Sequence, residues 1–328
     1  MKKRLNPLLT GGMILVLIAL CLPLMVSGYI LTSIASILVL MALTISWNAF
    51  SGSIGYFSFG HVTFFGCSAY MTAILYNSGW PMILAVLVSA VAVTVVFWPI
   101  AWILLRLKGA YFVVGTLGLS SIFIVLATSL SSVTGGVNGL TVAPADTLTA
   151  SYYILIGLVV FYTWAVYRIF TSRAGLKYFA IKSDEVGAES LGIHPTKEKV
   201  TIFLISIFMT AIVGGIYTYY FRFIEPNSVF GIKIVIDILL MGVLGGLGTV
   251  SGPIVGALII GVISEIVWSY SPEFHSMFFG IAIVVIAIFL PKGIMSGKEA
   301  LHHVFKGKGA SNVQPMEAGK EVGSIDAS

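Results

Sequence analysis

The chain has 328 residues, 58% of them hydrophobic and only 9% charged, with a mean hydropathy of +1.03. Long apolar runs at that hydropathy exclude a soluble domain and place most of the chain in lipid. The formal charge of +5 does not point to nucleic acid, because basic residues in membrane proteins mark cytoplasmic loops. Cys21 and Cys67, the two cysteines, both lie inside apolar runs and supply neither a disulfide framework nor a metal cluster.

About 20 apolar residues cross the hydrocarbon core. The pattern predicts an all-α integral membrane protein with about ten such crossings, near 8–27, 29–50, 55–76, 82–104, 109–131, 151–170, 200–221, 233–250, 254–270 and 276–291. Residues 1–28 combine a basic start, an apolar run and the string VSG, which is the outline of a secretory signal. The run exceeds a signal's usual apolar region, so the segment is read as retained. The third and ninth crossings are rich in Gly and are candidates for broken or re-entrant helices. With Lys2, Lys3 and Arg4 inside, ten crossings leave only Arg222 and Lys233 of the eighteen Lys and Arg residues outside. Both termini and the loop 171–199 then face the cytoplasm. Residues 1–296 form the transmembrane domain, and 297–328, poor in apolar residues, read as a disordered cytoplasmic tail.

Small residues crowd the junction of the second and third crossings, where SGSIGYFSFGHVTFF carries Gly52, Gly55, Ser58, Gly60 and Gly66. Close helix packing explains each glycine singly; together they fit a pathway wall able to repack. His61, in the same stretch, is read as a hydrogen-bonding structural residue rather than a proton carrier. In the outer loop SSVTGGVNGL, Gly135, Gly136 and Gly139 allow tight turns, while Thr134 and Asn138 offer local hydrogen bonds. A pathway entrance, a dock for a binding protein and a plain loop fit that composition equally.

Residues 168–199 hold ten of the thirty-one charged residues, and a loop of that length is usually functional. Within it Ser183 can cap a short helix, Asp184 and Glu185 suit its positive end, Gly192 its exit, and Pro195 stops continuation. Val186, Ser190 and Leu191 fall near one face of that helix. It can dock into a groove of another protein or serve as a solvated connector. Lys233 and Asp237, four apart, predict a pair near the outer interface, structural in the first place and an outer gate in the second; Glu265 lies in the outer part of the ninth crossing. GGLGTVSGP repeats Gly52, Gly55 and Ser58 as Gly245, Gly248 and Ser251, a hint rather than a repeat.

The loop string GLKYFAIKSDEVGAESLGIHPTKEKVTIFLISIFMTAIVGGIY resembles the permease subunits of branched-chain amino acid ABC importers, the LivM-type family. GSIGYFSFGHVTFFGCSAY, TGGVNGL, GVLGGLGTVSGPIVGA and LPKGI match it in the same order, across residues 30–294. The resemblance implies an ABC importer permease fold without enzymatic activity of its own. It implies a coupling loop carried by Gly175, Asp184, Glu185, Ala188, Gly192 and Ile193, and a pathway that includes Gly52, Gly55, Ser58, Gly60, His61, Phe64, Gly66, Gly245, Gly246 and Gly248. The partners it implies are a second permease subunit, two cytoplasmic ATPases and a periplasmic or lipid-anchored binding protein, in a bacterial inner membrane. No phosphate-binding GxxxxGK[ST] loop occurs in the chain. No cofactor is therefore expected in it, and ATP and Mg are expected on the ATPases. Span centres nearly free of charge disfavour the rival, a stand-alone ion-coupled carrier or channel. Cys67-Ser68 and Val235 depart from the family pattern and leave urea, short amides and organic acids as alternative substrates.

Overall fold

The computed structural model describes residues 28–142 and 148–270, with Pro23, Met277, Gly280, Ile281 and 293–295 besides. The predicted crossings 8–27 and 276–291 and the tail 297–328 lie outside the two described segments. In chain order the elements are α1 (Gly28–Ile54), α2 (His61–Asn77), α3 (Met82–Leu104), α4 (Ala110–Ser129), the turn α5 (Ser131–Thr134), a 3-10 turn (Gly136–Asn138) and β1 (Leu140–Thr141). There follow α6 (Leu148–Phe170), α7 (Arg173–Ser183), α8 (Glu185–Ser190), α9 (Pro195–Phe221), β2 (Phe223–Ile224), α10 (Pro226–Phe230), α11 (Ile232–Gly245) and α12 (Gly252–Tyr270). Among the described residues the fold is all-helical apart from one antiparallel two-residue ladder, Leu140 opposite Ile224 and Thr141 opposite Phe223.

Among the described residues six stretches are long and apolar enough to cross a membrane: α1, α3, α4, α6, α9 and the run Pro226–Gly245. The predicted third crossing, 55–76, begins only at His61, because residues 55–60 are loop, whereas α12 covers the predicted ninth, 254–270, in full. No interruption occurs within that ninth crossing; a break lies instead just ahead of the predicted eighth, 233–250. There Pro226–Gly245 breaks at Gly231, whose extended backbone (φ −65°, ψ 141°) separates α10 from α11. Helix α9 starts five residues before the apolar run does: Pro195 presets its first turn and Glu198 complements its positive end.

The long helices lack a polar face, as expected where one side meets protein and another meets lipid. α9 is the central post, packed on α2, α3 and α1, while α1 also meets α6, α11 and α12. Where α9 crosses α2, a Cβ on Gly214 would run into the carbonyl oxygen of Phe65, so the two backbones touch at a place only Gly permits. Trp47, Phe50, Phe64, Phe65, Phe112, Tyr152, Tyr162 and Phe203 are fully buried. Facing outward, Ile83, Val95, Trp98 and Ile103 of α3 and Tyr111, Val114 and Val125 of α4 are exposed, the surface that lipid or another subunit covers. Buried hydroxyls are tied across helices: Tyr162 donates to the Met209 carbonyl at 2.6 Å and Thr218 to the Ala69 carbonyl at 3.0 Å.

Candidate functional site

The polar loop folds into two helices, not one. Ser172 caps α7 by accepting from the Gly175 N–H at 3.3 Å. Asp184 is extended, ends α7 and caps α8, its Oδ1 accepting from the Val186 N–H at 3.1 Å. Ser183, the predicted cap, belongs to α7 and donates to the Phe179 carbonyl instead; its place was wrong by one residue because α7 had gone unpredicted. Gly192, with φ +80°, turns the chain out of α8, and the Ile193 N–H returns to the Ala188 carbonyl at 3.2 Å. Gly175, Tyr178, Ile181 and Ala188 face inward and are buried. Leu176, Val186 and Leu191 point outward at 70, 70 and 81% exposure. Three large apolar side chains on an otherwise charged appendage form a surface that gains from being covered.

Two lysines fasten this appendage to the helices. Lys199, near the start of α9, is 2% exposed, and its Nζ lies 2.6 Å from Glu185 Oε2. Tyr56 closes the triangle: its hydroxyl accepts from Lys199 at 3.1 Å and donates to Glu185 Oε2 at 3.3 Å, and its ring lies under the ammonium, 4.4 Å from the centroid. Lys182, on α7, donates to the Gly52 carbonyl at 2.7 Å. Loss of hydration around this ammonium lowers its pKa from the ordinary lysine value. The second ion pair, Lys177 with Glu198 at 2.7 Å, is more exposed and contributes little.

Beneath the fastening, the two glycine-rich stretches meet. Trp47 Nε1 donates to the Ser58 carbonyl at 2.9 Å and so holds the 55–60 loop. Its neighbour Asn48 holds the 246–251 loop: Nδ2 donates to the Thr249 carbonyl and Oδ1 accepts from the Gly248 N–H, both at 2.9 Å. A Cβ at Gly52 would sit 2.6 Å from the Gly248 nitrogen, so this contact requires glycine. His61 is buried, with Nδ1 3.0 Å from Ser58 Oγ and Nε2 2.6 Å from Ser206 Oγ, and Ser206 in turn donates to the Ser46 carbonyl. Thr116 and Ser120 of α4 bond the Phe59 N–H and carbonyl, at 3.1 Å each. Gly52, Gly55, Ser58, Gly60, His61, Gly246 and Gly248 thus gather at one end of the molecule. Gly245 packs beside Gly252 where α11 turns into α12. Phe64 joins an aromatic cluster with Phe97 and Phe203, and Gly66 abuts Phe230 of α10, so these two lie deeper.

The outer-loop residues lie at the opposite end, beside the ladder. Gly135, Gly136 and Gly139 all have positive φ, and Thr134 donates to the Ala127 carbonyl at 2.6 Å. The Val142 N–H reaches the Arg222 carbonyl at 2.8 Å. Between the two ends, the break at Gly231 opens a cleft of about 460 Å3, walled by Leu117, Ser120, Ser121 and Ile124 on one side and by Asn227, Phe230, Gly231, Ile232, Lys233 and Val235 on the other. Asp237 follows Lys233 by one turn and is buried, with Oδ1 lacking a hydrogen-bond partner. Glu265 accepts a short hydrogen bond from Ser33 of α1. Unpredicted members of the site are Trp47, Asn48, Tyr56, Leu176, Lys182 and Lys199. Only Lys199, a charge abutting an apolar run, carried a local signal.

A bundle of long apolar helices with an interrupted crossing and a fastened polar appendage defines a polytopic membrane protein. The chain belongs to the family described as branched-chain amino acid transport system / permease component, whose profile matches residues 28–287. It is 28% identical to the high-affinity branched-chain amino acid transport system permease protein LivM of Salmonella typhimurium, over 86% of this chain and 74% of that protein. Against LivM of Escherichia coli it is 26% identical, covering 86% and 73%. A shorter match, 27% identical over 44% of the chain and 47% of the relative, is to the permease protein LivH of Salmonella typhimurium. No solved structure matches.

Proposed function

We propose that this permease component works in an ATP-driven importer of branched-chain amino acids. It pairs with a second permease of the LivH kind, takes substrate from a periplasmic or lipid-anchored binding protein, and couples to two cytoplasmic ATPases that bind the ATP and Mg. It sits in a bacterial inner membrane with both termini and the α7–α8 appendage in the cytoplasm. The carrying observation is the two-sidedness of the appendage. Leu176, Val186 and Leu191 are offered outward, while Glu185 and Lys182 are bonded inward to Lys199, Tyr56 and Gly52. A partner that pushes on α8 therefore pulls on the 55–60 loop, and through Gly52 and Asn48 on the 246–251 loop. Closure of the ATPase pair would tilt the helices that flank these loops and open the pathway outward; hydrolysis would reset it. The chain performs no covalent chemistry in this scheme.

The test is purification of the tagged chain from its host membrane in mild detergent, with mass spectrometry of what accompanies it. Two ATPases and a second permease should co-purify, and Val186→Glu should lose the ATPases while keeping the permease. A chain that comes out alone and moves solute alone in liposomes would replace this reading with a stand-alone carrier.

A further inference from the structure

Residues 222–231 join the end of α9 to the start of α11 and run as a strap from the outer mouth into the bundle. The chain leaves α9 through Arg222, the one non-glycine residue with positive φ (59°) among those described. Most helices place glycine at such an exit, and a bulky residue held there is a costly conformation that recurs at switch segments. Phe223 and Ile224 then pair with the outer loop through the two-residue ladder, and the Arg222 carbonyl accepts from the Val142 N–H. A ladder this short has little stability of its own. α10 follows, five residues closed on themselves by a capping box between Glu225 and Ser228, so it moves as one piece. Its last residue, Phe230, is 2% exposed and wedged between α2 and α4. The ring stacks on Tyr70 at 5.9 Å, lies 6.3 Å from Phe123 and fills the place that a Cβ on Gly66 would take. Two observations show a seat that can be vacated. Phe230 also lines the cleft of about 460 Å3, which leaves the ring room to move into. The hydroxyl of Tyr70, against which it stacks, is buried without a hydrogen-bond partner, a cost that water entering the seat would remove.

We propose that the strap 222–231 is the outer gate of the pathway, with Phe230 as its plug and the β1–β2 ladder as its latch. Parting of the ladder frees the outer end of the strap. α10 then swings about Gly231, where the helix is already interrupted, and Phe230 passes from its seat on α2 into the cleft, which admits water between α2 and α4. Re-forming the ladder returns the plug. The latch hangs on the far end of the helix whose first turn holds Glu185 through Lys199, so movement at the appendage reaches the gate along α9. The proposal rests on the import reading above and adds to it the element that closes the outer mouth.

The experiment locks the latch in the full chain, in cells whose leucine uptake depends on it. Cys21 and Cys67 are replaced by Ala, the uptake of that chain is the reference, and Thr141→Cys and Phe223→Cys are introduced together. These two residues face each other across the ladder, beside the bond from Val142 to Arg222. Cα atoms in such a pair lie about 4.5 Å apart, within reach of a disulfide. Copper phenanthroline should link them, as mass spectrometry of the joined peptides reads, and should abolish leucine uptake. Dithiothreitol should restore it, and neither single cysteine should respond. The plug is read separately: Phe230→Ala should let preloaded leucine leave ATP-depleted cells about tenfold faster, the population shift expected from losing one buried aromatic ring. Phe230→Tyr, which keeps the ring, should stay tight, and a merely unfolded variant would neither leak nor carry. A linked chain that carries leucine as fast as the reduced one, a pair that does not link, or a Phe230→Ala chain as tight as the reference overturns the gate. Uptake is also followed after ATP depletion: ATP-dependent uptake that ignores the link sinks the gate alone, whereas ATP-independent uptake that the link still blocks supports the gate and sinks the importer reading.

Discussion

Replacing Glu185 with Gln strands a buried cation, and the size of the effect can be worked from its surroundings. Removing one partner of a buried ion pair ordinarily costs about 3–5 kcal/mol, because the other charge stays desolvated. Lys199, at 2% exposure, is such a charge. The Tyr56 hydroxyl at 3.1 Å and its ring at 4.4 Å remain, and an ammonium over a ring recovers about 1–2 kcal/mol. Glu185→Gln should therefore cost about 2–3 kcal/mol of docking for α8. The reverse change is milder. Glu185 is 28% exposed and rehydrates when Lys199 becomes Met, whose stem keeps the packing, for a cost of about 1 kcal/mol. Hydrogen–deuterium exchange of the amides around 185–193 reads the opening directly: about 30- to 150-fold faster for Glu185→Gln and about fivefold for Lys199→Met. The double variant should lie close to Lys199→Met rather than at the sum. Equal single effects, or an additive double, would refute the stranded-charge reasoning.

Asn48→Ala leaves the Gly248 N–H and the Thr249 carbonyl without their partner, at about 1–3 kcal/mol for each buried group; a fall in thermal unfolding temperature, with the appendage's exchange unchanged, checks it. Gly52→Ala drives a methyl into the Gly248 nitrogen and the Asn48 amide, which should part the two loops and depress leucine uptake more than it depresses the unfolding temperature. Leu191→Glu, at a side chain 81% exposed, should shift stability by no more than about 0.5 kcal/mol yet abolish ATPase co-purification. Lys182→Met removes a charge-assisted bond to Gly52 and should lower substrate-stimulated ATP hydrolysis in the assembled importer while leaving co-purification intact.

The crossings 82–104 and 151–170 were legible because apolarity and helix end together there. α9 was read five residues late, since its first turn is written in Pro195 and Glu198 rather than in apolar residues. α7 was missed because RAGLKYFAIKS averages neither apolar nor polar, although Gly175, Tyr178 and Ile181, spaced by three, mark its buried side. The break at Gly231 lies just ahead of the predicted crossing 233–250, so the short helix α10, which packs on α2 and α4, was not read as part of that crossing. The glycine stretches were recognised singly and as an echo. That they touch, and that Asn48 staples one to the other, depends on partners two hundred residues apart. The Tyr56, Glu185 and Lys199 triangle is likewise tertiary, with Glu185 alone among the residues singled out beforehand.

Helix α9 touches every level of the molecule: Lys199 grips α8 at its base, Ser206 grips α1 further up, and Phe223, just past its last turn, is laddered to the outer loop. Its 27 residues make a rod about 40 Å long at 1.5 Å per residue. Pivoted near its foot, such a rod amplifies: a tilt of about 5° displaces the far tip by about 3.5 Å, by the same length. On the import reading proposed above, α9 would serve as a lever, with its short arm moved by the partner seated on α8 and its long arm attached to the opposite mouth.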